Sequence, residues 1–448
     1  MSRLIFVNRF YWPEEPATSQ LLTDLAQALA SNGHLANPLG QNAPNQAQTI
    51  GEHPSTGKQL LKASLPKILV LASRRRGLPR RETRQNVRIA RIGPTRRDAP
   101  AILSRALDLT CFLLATLVHL ARHTRRGDTV VLLTDPPLLG LFATPLLRLR
   151  RARIIHWVQD IYPEIAAELS GQRWLRALRP LRNWSWRKAH ATVTLGPDMA
   201  AILTAARVAP DRIHTIPNWP LPELSEAPCA EIAALKATWP APLANKFIVL
   251  YSGNLGRVHD LPPVLEIAAA LHDTAPHIAI VFVGRGAQQV PLRRAAHVRA
   301  LTNIHFLPPA PRVQLSANLS AGDLHLVTLK PGCEHYVLPS KLYGITAVAR
   351  PLLFIGPRTC ALFKNVTDTG IGLSFARDAT TAAANAIRTL ADSPEQRQRM
   401  QAAARKFSQT HTFATSLHAW RKLHAQSESS QNQAPRPPWQ ATQEQRNS

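Results

Sequence analysis

The sequence predicts an α/β protein built from two doubly wound domains. Short apolar, strand-like runs alternate with longer helix-period segments from end to end, the signature of parallel sheets covered by helices. The alternation occurs twice, on either side of the proline-rich stretch Ile216-Pro217-Asn218-Trp219-Pro220-Leu221-Pro222. With 448 residues, 45% of them hydrophobic, the chain is long enough for two cores.

In the first half, strands are expected at Leu4–Val7, Lys67–Ala72, Val87–Ile92, Thr129–Leu133, Arg153–Val158 and Ala191–Thr194, with helices near 18–31, 99–121, 138–149, 173–189 and 197–206. Together these make one Rossmann-like domain over 1–216. Its first apolar residues run straight into the turn-like Trp12-Pro13-Glu14-Glu15-Pro16, so they read as a buried strand rather than a signal peptide. The most apolar helical segment, Leu109–Ala121, is about 13 residues, short of the roughly 20 that cross a hydrocarbon core, so no transmembrane span is expected. Residues 35–66 are rich in Asn, Gln, Pro and Ser without period, and read as a flexible insertion.

A linker over 217–245, carrying a short acidic helix, leads to a second Rossmann-like domain over 246–425. Its strands are expected at Phe247–Ser252, Ile278–Val283, Ile304–Leu307, Leu324–Val327 and Leu352–Ile355. The tail over 426–448 is polar with almost no aliphatic residues and is expected to be disordered.

A formal charge of +26 implies a surface that attracts anions: nucleic acid, acidic headgroups or phosphorylated substrates. Cys111, Cys229, Cys333 and Cys360 are scattered, with no C-x-x-C pair and no zinc-type Cys/His set, which implies a reduced compartment and no structural metal.

Three segments of the second domain point to a phosphate ligand. In Tyr251-Ser252-Gly253-Asn254-Leu255-Gly256-Arg257 a strand ends in a glycine loop before a helix, where backbone N–H groups approach phosphate closely. The same loop also reads as a tight turn capped by Asp260. In Pro339-Ser340-Lys341-Leu342-Tyr343-Gly344, Ser340 can cap the following helix. Lys341 would lie in the first turn, where the helix dipole disfavours a cation unless an anion compensates; a plain surface lysine is the alternative. Val283-Gly284-Arg285-Gly286 ends a third strand, at the edge where ligands of open α/β sheets lie.

These segments, in this order, resemble the donor-binding half of glycosyltransferase family 4, the retaining enzymes of the GT-B fold. The similarity is greatest to the branch that builds capsule, O-antigen and colanic-acid-type polysaccharides, which carries Y-S-G-N-x-G and P-S-K-x-Y-G as here. It spans about residues 3 to 422 without the insertion, and four first-domain segments agree: Phe10–Glu14, Thr134–Pro137, Gln159–Glu164 and Ile216–Trp219.

The resemblance implies two domains facing a central cleft, with a nucleotide sugar, a UDP-sugar, on the second and the acceptor on the first. Donor contacts would come from Gly253, Asn254, Gly256, Arg257, Gly284, Pro339, Ser340, Lys341 and Leu342, and acceptor-side candidates are Trp12, Glu14, His156 and Glu164. Glu334 would act near the sugar, five residues before Pro339, although an exposed loop glutamate fits equally. Asp160 would orient the acceptor, or else cap the helix after it. Many members carry a second glutamate eight positions on, for the ribose. Here that position is Leu342, and the register set by Ala347-x-x-Arg350-Pro351 puts Gly344 in its place. Arg257 and Lys341 would neutralise the charge growing on the departing diphosphate. No metal or other cofactor is expected, because the second domain has no D-x-D among its apolar strands.

The run Arg173–Lys188 sets Trp174, Trp184 and Trp186 among many cations at helical spacing, and Arg74–Arg81 adds a basic loop. That composition suits an anionic lipid surface, which would place the protein on the cytoplasmic face of the inner membrane beside a lipid-linked saccharide acceptor. The alternative is tryptophans in the core and arginines in solvent. Three rival functions remain: a non-catalytic GT-B subunit that binds a lipid-linked glycan or a partner transferase, a sugar-nucleotide epimerase, and a nucleic-acid-binding protein. The last finds no zinc-finger spacing or RNP-like motif, so no nucleic acid partner is expected.

Overall fold

The computed structural model describes residues 3–14, 16–31, 66–95, 102–243 and 245–432. The expected insertion therefore lies outside the described residues, apart from Pro66, as does the chain beyond Asn432. Two compact units emerge: residues up to His156 with those from Trp420 onward, and Trp157–Ala419.

In the first unit the strands β1 (Arg3–Val7), β2 (Lys67–Arg74), β3 (Arg81–Arg84), β4 (Val87–Thr95), β5 (Thr129–Leu133) and β6 (Arg153–Trp157) lie in the order β3-β4-β2-β1-β5-β6. β1 is central and parallel to both neighbours, with Leu4 beside Ile68 and Thr129. All of β5 and β6 is buried, as expected of parallel strands covered on both faces. α1 (Ala17–Ala30) and α3 (Leu139–Leu149) match the expected helices within a residue or so. The carbonyl of Ala28 in α1 accepts from Arg421 (3.2 Å) near the end of the chain.

Two expectations are corrected here. The basic segment Arg74–Arg81 is not all loop, because Arg81 opens β3, which pairs antiparallel with β4. The two-residue turn uses Gln85 and Asn86, both at positive φ (47° and 63°), the geometry of a type I′ hairpin. The helix expected near 99–121 is α2 (Ile102–His123), but its apolar stretch runs longer than expected. Its stretch Ala106–His123 is long and apolar enough, by length and composition, to cross a membrane, and only 17% of it is buried. Asp108 interrupts the apolar pattern near its start, which is why the sequence reads shorter. Phe112, Thr116 and Leu120 turn inward, whereas Leu107, Leu114 and Val118 are exposed.

The second unit contains β7 (Ala191–Thr194) and β8 (Ile213–Thr215), a parallel pair, and a six-stranded sheet. That sheet consists of β9 (Phe247–Ser252), β10 (Ile278–Val283), β11 (Ile304–Leu307), β12 (Leu324–Thr328), β13 (Leu352–Ile355) and β14 (Gly372–Phe375), in the order β11-β10-β9-β12-β13-β14. Every pairing is parallel. Val249, Tyr251, Ile280 and Phe282 alternate on one face and pack beneath α8 (Pro262–His272) and α13 (Thr380–Asp392). Each such buried side chain contributes on the order of 2 kcal/mol. The order reverses between β9 and β12, so the loops at their C-terminal ends diverge and leave a crevice, the usual ligand position in open α/β sheets.

Residues 157–219 pack within the second unit. Ile161 N donates to the Tyr336 carbonyl (2.8 Å), Asp160 and Val337 form an antiparallel bridge, and Ser416 Oγ donates to the Pro217 carbonyl (2.9 Å). The helix expected over 173–189 is two pieces, a tight turn at Arg173–Leu178 and α5 (Arg179–Lys188), restarted by Pro180 in the first turn. α15 (Phe413–Asn432) continues past residue 426, where disorder was expected to begin.

Candidate active site

Three loops meet at the C-terminal ends of β9, β10 and β12. Gly253 N donates to the Val283 carbonyl (2.8 Å) and Leu255 N to that of Arg285 (2.9 Å), so the glycine loop lies directly on the Val-Gly-Arg-Gly turn. Both turn glycines are required by that approach. A Cβ on Gly284 would stand 2.0 Å from the Gly253 carbonyl oxygen, and one on Gly286 would stand 2.6 Å from the backbone of Leu255. Their φ angles, +147° and +158°, also exclude ordinary side chains. Gln288 clamps the same loop, its Nε2 donating to the carbonyls of Gly256 (2.5 Å) and His259 (3.0 Å). From β12, Lys330 N donates to the Val258 carbonyl (2.9 Å).

Lys341 reaches this loop from the start of α11 (Lys341–Ala347). Its Nζ stands 3.6 Å from the Tyr251 ring centroid, 3.3 Å from His259 Nε2 and 3.4 Å from the Asn254 carbonyl. Its stem lies against Gly253, where a Cβ would come within 3.1 Å of Cε. No carboxylate lies within ion-pair distance among the described residues, and burial pushes the ammonium well below the usual lysine value. A half-buried cation that faces only a ring and neutral acceptors is a candidate site for an anion. Arg257 is exposed on the same loop.

Some expectations about these residues are corrected. Ser340 already has helical φ and ψ (−68°, −11°) and its side chain caps nothing. The Leu342 side chain is buried in the core with Val327, Leu352 and Phe354, which leaves only its backbone for a ligand contact. Asp260 caps no helix; it is buried in an ion pair with Arg377 (2.6 Å). Pro339 is buried. A Cβ on Gly344 would meet Leu224 and Leu319, each at 3.6 Å, an apolar setting unsuited to a carboxylate.

Glu334 lies in the loop after β12. Its Oε2 is buried and has no hydrogen-bond partner among the described residues. Burial, and then the Glu168 and Glu334 carboxylates, push the neighbouring Cys333 thiol up to about 11. The bridge from Asp160 to Val337 brings Asp160, distant in sequence, to the same stretch as Glu334. Glu164 is committed elsewhere: it is buried, with Arg182 on both oxygens (2.8 and 3.1 Å) and Arg179 at 2.9 Å. Arg182 also lies over the Trp186 ring (3.8 Å). Part of the basic–aromatic run is therefore core, while Trp174 (67% exposed) and Leu181 (52%) face solvent.

Two motifs hold each other. Gln159 and Asn218 exchange both side-chain hydrogen bonds (3.1 and 3.0 Å), and Trp157 stacks on Trp219 with centroids 6.1 Å apart. In the first unit, Trp12 carries Arg84 over its ring (3.8 Å), its carbonyl accepts from Arg91 (2.9 Å), and Glu14 is buried 3.6 Å from Arg75. His156 is buried on β6. Sequence reasoning missed His259 and Gln288. Only the position of His259 inside the glycine segment could have flagged it.

Among solved structures the fold is shared with sucrose-phosphate synthase of Thermosynechococcus elongatus, with TM-score 0.72 and 14% identity, over 96% of this chain and 100% of that one. It is also shared with Anabaena HepE in complex with UDP-glucose, with TM-score 0.67 and 12% identity, over 95% and 100%. These likenesses show the fold alone, and it is the GT-B fold of two parallel-sheet α/β domains. The model of a glycosyl transferase 4-like domain matches residues 19–219, and that of glycosyl transferases group 1 matches residues 239–407. WcaI of Escherichia coli strain K12, which carries the name of a colanic acid biosynthesis glycosyl transferase, is 30% identical over 260 residues. The alignment covers 56% of this chain and 62% of WcaI, so it spans less than two thirds of that relative. Together the two models cover most of the chain, which belongs to the glycosyl transferases through a 4-like domain and a group 1 domain.

Proposed function

We propose that the protein is a retaining glycosyltransferase that moves a sugar from a UDP-sugar to a growing, lipid-linked cell-surface polysaccharide. The observation that carries this is the Lys341 ammonium, half-buried without a carboxylate partner against a glycine loop at the switch point of the sheet. The donor's diphosphate supplies the missing charge, and HepE, of the same fold, is known in complex with UDP-glucose. As the sugar–phosphate bond breaks, negative charge grows on the leaving diphosphate; Lys341 and Arg257 stabilise it, and the phosphate accepts the acceptor's hydroxyl proton. Glu334, with its unpartnered buried oxygen, accepts from a hydroxyl of the transferred sugar, and Asp160 orients the acceptor.

The reaction proceeds without a metal in this reading, since lysine and arginine take the part of the cation. Attachment to an anionic membrane face draws support from exposed Trp174 and Leu181 among arginines, and from Leu107, Leu114 and Val118 on α2. The test is transfer of labelled sugar from a panel of UDP-sugars to a lipid-linked acceptor fraction, with EDTA present. Product formed by the native protein and lost in Lys341→Ala supports the proposal; equal product in both refutes it. Sedimentation with vesicles containing acidic lipid, but not with neutral ones, supports the membrane assignment, and no difference between them refutes it.

The apolar surroundings of Gly344 favour one second reading, a non-catalytic subunit that binds the nucleotide without turnover. Nucleotide binding with no transfer or release of sugar across the panel would select it.

A further inference from the structure

We propose that His259 is a positioning residue for Lys341: it holds the ammonium over the glycine loop so that it meets the donor's diphosphate. The inference rests on the donor-site reading above and assigns a role within it.

The tautomer follows from geometry. His259 Nδ1 lies 2.8 Å from the Thr328 carbonyl, which can only accept, so Nδ1 carries the ring proton. Nε2 is left with its lone pair, and Lys341 Nζ, 3.3 Å away, donates to it. The ring cannot swing: it is 8% exposed, stands edge-on to Tyr251 (5.7 Å between centroids), and its backbone carbonyl is held by Gln288. Tyr251 closes the arrangement, since its hydroxyl donates to the Asn254 carbonyl (2.8 Å), the second acceptor for the ammonium. Burial, and then the nearby ammonium, lower the imidazole to about 3, so it stays neutral.

Neutrality is what the task requires. A carboxylate in this place would pair with Lys341, cancel its charge and repel a diphosphate. A neutral acceptor aims the flexible four-carbon stem and leaves the charge for the ligand, which lowers the ordering cost of binding.

The test compares two substitutions by calorimetric titration with UDP and with uridine. In His259→Asn the amide nitrogen reaches the Nδ1 position and keeps the bond to Thr328, but the acceptor facing Lys341 is gone. In His259→Gln an amide oxygen restores that acceptor. We expect the Asn variant to bind UDP about tenfold more weakly and uridine as the native protein does, and the Gln variant to stay within about threefold for UDP. Native UDP affinity in the Asn variant, alongside a loss in Lys341→Ala, overturns the role of His259 and leaves the donor site standing. Parallel losses of UDP and uridine that Gln does not restore mean a merely structural residue, and overturn it too. Unchanged UDP affinity in Lys341→Ala, or no UDP binding by the native protein, refutes the donor-site reading itself. Should the variants fail to fold, histidine ¹⁵N spectra of the native protein decide: a proton on Nδ1 is expected, and a proton on Nε2 overturns the proposal.

Discussion

Replacing Gly284 by alanine should both loosen the second unit and disable its ligand site. The new Cβ would stand 2.0 Å from the Gly253 carbonyl oxygen, where ordinary contact begins near 3.4 Å, so the glycine loop must retreat by about 1.4 Å. That movement breaks the bond from Gly253 N to Val283 and strains the one from Leu255 N to Arg285, now 2.8 and 2.9 Å, at about 1 kcal/mol each. Alanine at φ +147° adds about 1–3 kcal/mol. The sum is about 3–5 kcal/mol, at the severe end for one substitution. Because Lys341 packs against the displaced loop, nucleotide affinity should fall with stability. Denaturant unfolding and UDP titration of Gly284→Ala measure both, and a variant matching the native protein in midpoint and affinity refutes the argument.

Other expected outcomes follow from single groups. Glu334→Gln should lower turnover and spare nucleotide affinity; unchanged turnover would return Glu334 to an ordinary loop residue. Arg182→Met leaves Glu164 buried without its two-point partner and should cost on the order of 3 kcal/mol in denaturant unfolding, with UDP affinity intact. A stable variant would contradict the burial argument. Acid should destabilise the fold through His325 and His259, held neutral by burial near 4 and 3, because the unfolded chain takes up protons at the ordinary 6.5 while the folded one does not. Stability should fall as pH drops from 6.5 to 5, by about 2 kcal/mol per histidine. A flat midpoint over that range would refute it.

The central strands were legible because β9 and β10 are buried on both faces and therefore spell continuous apolar runs. β3 was not, since its turn uses Gln85-Asn86 without the glycine that usually marks such a hairpin, and its residues are arginines and polar groups. At the site, glycines whose function is close backbone approach announce themselves, and Lys341 stood out as a cation opening a helix. Ser340 misled, because a capping residue type does not reveal that its backbone is already helical. His259 and Gln288 act through side-chain contacts to residues 82 and 32 positions away, and such contacts leave no local pattern. Glu164 is similar: nothing beside it in sequence shows that Arg182 occupies its carboxylate.

The central claim is that Lys341 and the glycine loop hold a nucleoside diphosphate without a metal. It is tested most directly by calorimetric titration of the native protein and Lys341→Ala with UDP, GDP and CDP, with and without EDTA. The account predicts selective UDP binding that survives EDTA and is lost in the variant. Binding abolished by EDTA, or equal in the variant, would contradict it.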